Sequence, residues 1–370
     1  MLKISRYLVG ILFIISGLIK ANDPTGFAIK LEEYFVVFGM EWLSFAALTL
    51  SVLICSLEIV LGVALLFGIK PKPVAWLLLL MIIFFTWLTG YSAITNKVTD
   101  CGCFGDAIKL TPWQSFTKDV ILMVFITYIF VRRSEIQASF GKKTSAAILT
   151  LASVLSIFFG VYCVAFLPVV DFLPYKIGNN IPELMQVPEG APRDSFETRM
   201  YYEKDGKTEV FTMQNYPWQD STWRWVKTES VLIREGYKPK VKDLHISDAE
   251  GNEYTEDVLA YPDYQLIVIA YDLPHSNRSA FKKINELSAQ LQKNNKVRTL
   301  GLTATNAEQV QALARELNTP FTFYFCDATT LKTMVRANPG VILMRGGVVV
   351  NKWHSNALPA YDEFVSELKN

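Results

Sequence analysis

Two thiols one glycine apart stand in the run Asp100-Cys101-Gly102-Cys103-Phe104-Gly105-Asp106. At that spacing they reach each other, because glycine relaxes the backbone limits that a small ring imposes. A disulfide closing so short a loop is strained and readily reduced, which suits exchange more than stapling. Thiolate attack needs only access and a favourable pKa. Asp100 and Asp106 raise the thiol pKa values while Lys97 and Lys109 lower them, and the sequence leaves that balance open. Two small cysteines packing a tight turn fit the same residues. Mixed-disulfide trapping at Cys101 or Cys103 distinguishes the two.

The chain has five cysteines, and Cys55, Cys163 and Cys326 are far from the pair and from each other. That is too few for a disulfide scaffold and the wrong spacing for tetrahedral zinc. His245, His275 and His354 all lie well downstream, so no metal site is expected. Cys163 and Cys326 read as small packing residues, with a redox partnership to the pair as the alternative. A formal charge of +1 over 370 residues gives no electrostatic reason to expect a nucleic-acid partner.

Hydrophobic residues make up 51% of the chain, concentrated before residue 170. Residues 3–19, 42–68, 74–94, 116–131 and 145–167 are apolar enough to enter a bilayer, which takes roughly 20 residues per helix. The first segment carries Lys3 and Arg6 ahead of its apolar run but lacks a small-x-small cleavage site, so it reads as a retained helix. Residues 21–41 and 95–115 read as connecting loops. Lys3 and Arg6, Lys70 and Lys72, and Arg132, Arg133, Lys142 and Lys143 fall on one side if the helices alternate. The positive-inside rule makes that side cytoplasmic. The cysteine loop and everything after the fifth helix then face the oxidising periplasm, across a bacterial inner membrane.

Glu58 lies inside the second helix, where a carboxylate is costly unless paired or protonated. It is either a proton- or quinone-contacting group or a structural hydrogen-bond acceptor from Arg6, Ser5 or Ser16. The membrane setting alone suggests a quinone as electron carrier.

The Cys-Gly-Cys-Phe-Gly-Asp run, following hydrophobic helices, resembles the MauE branch of the DoxX-like membrane proteins. The first-helix stretch from Phe13 to Lys20, with Asp23-Pro24 and Gly26-Phe27-Ala28 after it, is similar to the DoxX-like pattern, as are Glu58, Gly62 and Gly68. The resemblance covers about residues 1–131. It implies a redox-associated four-helix core, here with a fifth helix added. MauE proteins are implicated in methylamine utilisation, where they are thought to help disulfide formation in a periplasmic dehydrogenase subunit. Methylamine itself is not implied for this chain.

Pro168 and Pro174 mark an exit from the fifth helix. Asp205-Gly206 predicts a hairpin over residues 197–212. The tryptophans Trp218, Trp223 and Trp225 are expected to fill a small core, with the membrane interface as the alternative. A second hairpin is expected over 241–255. Strands at 264–271, 297–303 and 321–325 alternate with helices at 276–292, from Asn306, and at 328–335. A hairpin at 341–353 and a helix at 359–368 end the series. This order resembles the thioredoxin fold of the TlpA or peroxiredoxin type, with Pro339 at the cis-proline position. Residues 273–280, where that family carries Cys-x-x-Cys, contain no cysteine.

The expected architecture is a membrane all-α bundle followed by an α/β thioredoxin-like domain. Its divisions are 1–134, a fifth helix at 145–167, a linker and β-rich insertion at 168–239, and 240–370. The expected function is periplasmic thiol–disulfide exchange or maturation of exported proteins through Cys101 and Cys103, with Asp106 and Glu58 in support. The C-terminal domain would bind a protein client. The alternative is a membrane adaptor with a silent binding module. Solute transport fits less well, because no internal repeat is visible.

Overall fold

In a bilayer, backbone N–H and C=O groups find no partner but one another, so long apolar runs fold as helices. The computed structural model describes residues 1–98, 102, 104–234, 236–242, 244–295 and 297–368. They form two compact units, one of Met1–Asn179 with His245–Asn370, the other of Asn180–Leu244.

The first unit opens with α1 (Leu2–Asn22), α2 (Pro24–Val37), a 3-10 helix (Glu41–Ala46), α3 (Ala47–Phe67), α4 (Pro71–Thr95), α5 (Pro112–Val131) and α6 (Lys142–Phe166). Among the described residues, five helices are long and apolar enough to cross a membrane, at the five places the sequence predicts. The chain is a multi-pass membrane protein. The shortest span starts earlier than expected because Thr111 and Gln114 form a capping box with Pro112 at the first turn.

Small residues let α1 and α3 touch backbone to backbone. A Cβ on Gly62 would lie 2.7 Å from the Gly10 carbonyl oxygen, and one on Gly17 2.9 Å from that of Cys55.

Residues 21–41 are not the loop expected. Asp23 caps α2, its Oδ1 accepting from Gly26 N at 2.8 Å, and Pro24 occupies the first turn. Phe27, Ala28, Leu31 and Phe35 bury one face of α2 in a cluster with Ala47, Cys55 and Ile59 of α3. The helix is too short and too interrupted by Lys30, Glu32 and Glu33 to register as an apolar run.

The second unit holds α7 (Ile181–Met185) and an antiparallel sheet of β1 (Ser195–Lys204), β2 (Lys207–Thr212) and β3 (Arg224–Arg234), ordered β2-β1-β3. Asp205 and Gly206, both with positive φ, turn β1 into β2 as predicted. The tryptophans do not form a core. Trp218 and Trp225 are 71% and 57% exposed, and Trp223 packs edge-on against Phe211. The described strands of this sheet hold no buried position, so it has no interior to place them in.

The first unit continues with α8 (Thr255–Leu259), β4 (Tyr264–Ile269), α9 (Arg278–Asn295), β5 (Arg298–Thr303), α10 (Ala307–Leu317), β6 (Phe323–Phe325), α11 (Ala328–Met334), β7 (Gly340–Arg345), β8 (Val348–His354) and α12 (Tyr361–Leu368). The sheet order is β6-β5-β4-β7-β8. Strands β4, β5 and β6 run parallel, and β7 and β8 return antiparallel. Two parallel strands joined by a helix, then a hairpin and a closing helix, make this a thioredoxin-like domain. The consecutive apolar residues of β4 are fully buried, as a strand covered on both faces requires. Phe281, Ile284, Leu287 and Leu291 of α9 close one face of the sheet. The hairpin expected over 241–255 reduces to an isolated bridge between Ser247 and Glu253, because Thr255 opens α8.

The segment after α6 is held at both ends. Asn22 of α1 exchanges two hydrogen bonds with the Val170 backbone, at 2.7 and 2.9 Å. Val349 of β8 does the same with Gly178 and Asn179. Lys352 of β8 meets Asp171 at 2.6 Å. Burial pushes the Lys352 pKa down and the Asp171 carboxylate opposes it.

Candidate functional site

Lys20 ends the apolar run of α1 and is buried. A buried ammonium needs a partner, and it forms an ion pair with Glu58 of α3. Ser16, one turn back on α1, donates to Glu58 Oε2 at 3.2 Å. The rings of Phe27 and Phe85 flank the ammonium at 5.2 and 5.3 Å. Of the three partners expected for Glu58, Ser16 is the one the structure supplies. Arg6 donates to the Leu65 and Leu66 carbonyls, and Ser5 to the Met1 carbonyl.

This pair lines a cavity of about 380 Å³ whose other walls are mainly apolar, among them Phe13, Phe27, Phe85 and Leu88. Phe104, Ile108 and Leu110, from the segment that follows the two cysteines, form part of its wall. Lys118 and Asp119 of α5 add a second charged pair at 2.9 Å. Asp119 accepts from Thr89 Oγ1 at 3.0 Å, and Lys118 lies 5.1 Å from the centre of the Phe104 ring.

Cys101 and Cys103 themselves lie outside the described residues. Their neighbours are placed. Gly102 is buried with φ +65, and a Cβ there would come within 3.2 Å of the Lys30 side chain on α2. Only glycine combines that backbone with so little space. Gly105 N donates to Gly102 O at 3.0 Å and closes the turn.

Asp106 then meets a partner from the far end of the chain. Arg336, buried two residues beyond α11, donates from Nη2 to Asp106 Oδ2 at 2.9 Å and from Nε to Asp23 Oδ2 at 2.8 Å. Its Nη1 donates to the Lys332 carbonyl at 2.7 Å. The planar guanidinium suits such a fork, in which each bond is charge-assisted. Asp23 thereby serves twice, capping α2 with one oxygen and receiving Arg336 with the other. Gly26 makes room, since a Cβ there would sit 2.8 Å from Arg336 Nη2. Lys332 approaches Glu32 of α2 at 3.8 Å on the same face.

Arg336 leads into the cis peptide bond Asn338-Pro339, at the position the thioredoxin resemblance assigns to Pro339. Across from it lies the thiol-free segment. Ser276 Oγ donates to Asn338 Oδ1 at 2.9 Å and to the Asp272 carbonyl at 2.8 Å, and Asn338 Nδ2 donates to the same carbonyl at 2.8 Å. His275 Nδ1 lies 2.9 Å from Asp272. A polar network occupies the place where redox-active thioredoxins keep two sulfurs.

Cys55, Cys163 and Cys326 are free and buried. Burial, with Asp327 adding to it, pushes the Cys326 thiol up to about 11, far from thiolate chemistry at neutral pH.

The sequence singled out Glu58, Asp106 and Pro339 but not Lys20, Asp23, Lys118, Asp119 or Arg336 as site residues. Lys20 and Asp23 stand inside the stretch that carries the DoxX-like resemblance. A lysine closing an apolar helix reads equally as an interfacial anchor. Arg336 carries no local signal, being one arginine among ordinary surface cations until the fold brings it to Asp106.

Residues 1–132 match the family described as methylamine utilisation protein MauE, and residues 196–235 match a domain of unknown function, DUF8463. Protein TlpB of Flavobacterium psychrophilum is 28% identical over 156 residues, covering 41% of this chain and 42% of that protein. The chain therefore spans less than half of that relative's length. Among solved structures, yeast Sco1 is similar at a TM-score of 0.28 and 15% identity, covering 34% of this chain and 95% of that one. BsSco, a member of the Sco family of cytochrome c oxidase assembly proteins, follows at 0.29 and 14%, covering 35% and 91%.

Proposed function

We propose that this chain, a MauE-type membrane region bearing a thioredoxin-like domain, takes part in thiol–disulfide exchange on exported proteins at a bacterial inner membrane. Cys101 and Cys103 are the exchanging pair. The observation that carries this is the Arg336 fork, which ties the cis-proline side of the thioredoxin-like domain to Asp106, three residues from Cys103. The basic residues of the short loops support a periplasmic position for that whole face.

One thiolate of the pair attacks a client disulfide, forming a mixed disulfide and releasing a client thiolate. The second thiolate then attacks the loop-side sulfur, leaving the loop oxidised and the client reduced by two electrons. The reverse sequence oxidises the client. The thioredoxin-like domain, with no cysteine over 273–280, runs no thiol cycle of its own. It holds the loop and offers the surrounding surface to the client. The network of Ser276, Asn338 and Asp272 in place of thiols favours a second reading, a membrane adaptor without redox chemistry.

Single Cys101→Ser and Cys103→Ser variants separate the two. With its resolving partner gone, one of them is expected to accumulate a disulfide-linked adduct on non-reducing gels, and the double variant none. If neither single variant forms an adduct and the double variant keeps full function in cells, the adaptor reading holds instead.

A further inference from the structure

The cavity beside the cysteine loop has the features of a ligand site. Its size lies within the roughly 300–1,000 Å³ of small-molecule pockets, at about 380 Å³. Phe13, Phe27 and Phe85 offer ring faces, while Lys20, Lys118 and Gln114 bring N–H donors to otherwise apolar walls. Carboxylates stand beside both lysines, Glu58 at one and Asp119 at the other. A buried ionisable pair such as Lys20–Glu58 is costly within a bilayer and marks a site that handles charge or protons.

The cavity also has an exit suited to a lipid-soluble molecule. A shallow groove between α1 and α5 shares Leu12, Gln114, Lys118 and Leu122 with the cavity wall and continues past Leu8, Ile121 and Phe125. Leu8 and Ile121 are exposed on helices that span the membrane, so this groove opens on acyl chains. A ligand with a flat ring, carbonyl acceptors and a long apolar tail fits the cavity and its exit together.

We propose that this cavity binds a membrane quinone, its ring among Phe13, Phe27 and Phe85 and its tail leaving between α1 and α5. Lys20 and Lys118 donate to the carbonyl oxygens. The redox use of the site rests on the thiol-exchange reading above, although binding itself does not. In that use the Cys101 and Cys103 thiols together lose two electrons and two protons and become a disulfide. The quinone takes up both electrons and both protons as quinol. Glu58 and Asp119, the carboxylates of the cavity lining, relay the protons. Phe104 and Ile108 set the cavity wall immediately after Cys103 in the chain.

The full chain in lipid nanodiscs, irradiated with an azido-benzoquinone bearing a decyl tail, tests this by mass-spectrometric mapping. Saturable labelling is expected on peptides holding Phe13, Phe85 or Ile108, competed by unlabelled decyl-benzoquinone and unchanged in the Cys101→Ser/Cys103→Ser double variant. Leu88→Trp fills the cavity and is expected to weaken binding about tenfold or more, a loss of roughly 1.4 kcal/mol. Ile108→Trp, in the loop wall outside any helix, repeats the test without disturbing helix packing. Val124→Trp, on an exposed face of α5, is expected to label normally. Labelling that does not saturate, spreads over lipid-facing helices as an acyl chain would, or survives both cavity-filling variants overturns the proposal. Saturable labelling while Cys101 and Cys103 stay reduced under excess quinone keeps the binding site and overturns its redox coupling to the thiols.

Discussion

Arg336→Ala is expected to release the thioredoxin-like domain from the cysteine loop and from the start of α2. The guanidinium gives a charge-assisted hydrogen bond to each of two carboxylates, Asp23 and Asp106, from a buried position. Hydrogen bonds to charged groups contribute about 1.5–3 kcal/mol each. Both carboxylates keep some contact with solvent, with side chains 14% and 27% exposed, so the sum is discounted. A net loss of about 2–4 kcal/mol follows, part of it from leaving two like charges facing one another. Hydrogen exchange is expected to rise over residues 104–110 and the first turn of α2 while the β4–β7 core stays protected. Arg336→Lys keeps the charge but loses the fork, and is expected to restore only part of the protection. Lys332→Ala removes a half-exposed, loosely spaced pair at 3.8 Å and is expected to cost under about 1 kcal/mol. Equal effects for Arg336→Ala and Lys332→Ala would remove the fork from the account.

The second large effect lies inside the bundle. Lys20 and Glu58 are both almost fully buried, and removing one partner takes away the other's counter-charge in an apolar setting beside phenylalanine rings. Breaking such a pair costs about 3–5 kcal/mol, whereas replacing both partners with apolar residues is often close to neutral. Lys20→Met and Glu58→Leu are therefore each expected to destabilise the detergent-solubilised chain by about 3 kcal/mol or more, and the double variant Lys20→Met/Glu58→Leu by much less. Reversible unfolding in mixed micelles reads the cycle. Additive losses would mean that the two side chains act independently.

The hydrophobic spans were legible because apolar length is a strong, local signal, and β4 because four consecutive buried aliphatic residues admit little else. The α2 helix escaped because its information lies in one cap, Asp23-Pro24, and in a face interrupted by charges. The tryptophans Trp218, Trp223 and Trp225 misled for a different reason. Aromatic content suggests burial, but the described strands of this sheet hold no buried position. At the site, Glu58 announced itself as a carboxylate in an apolar helix. Its partner Lys20 did not, since a terminal lysine has a cheaper explanation at the membrane surface. Arg336 is 230 residues from Asp106 in sequence, and only the fold makes them neighbours.

The most direct test of the proposed function is thiol alkylation in intact cells with a membrane-impermeant maleimide, before and after mild reduction, read residue by residue by mass spectrometry. Cys101 and Cys103 are expected to react from the outer face, with labelling that rises on reduction. Cys55, Cys163 and Cys326 are buried and are expected to stay unlabelled. Labelling of Cys101 and Cys103 only after the membrane is opened, or thiols that remain reduced and inert throughout, would contradict the redox role of this loop.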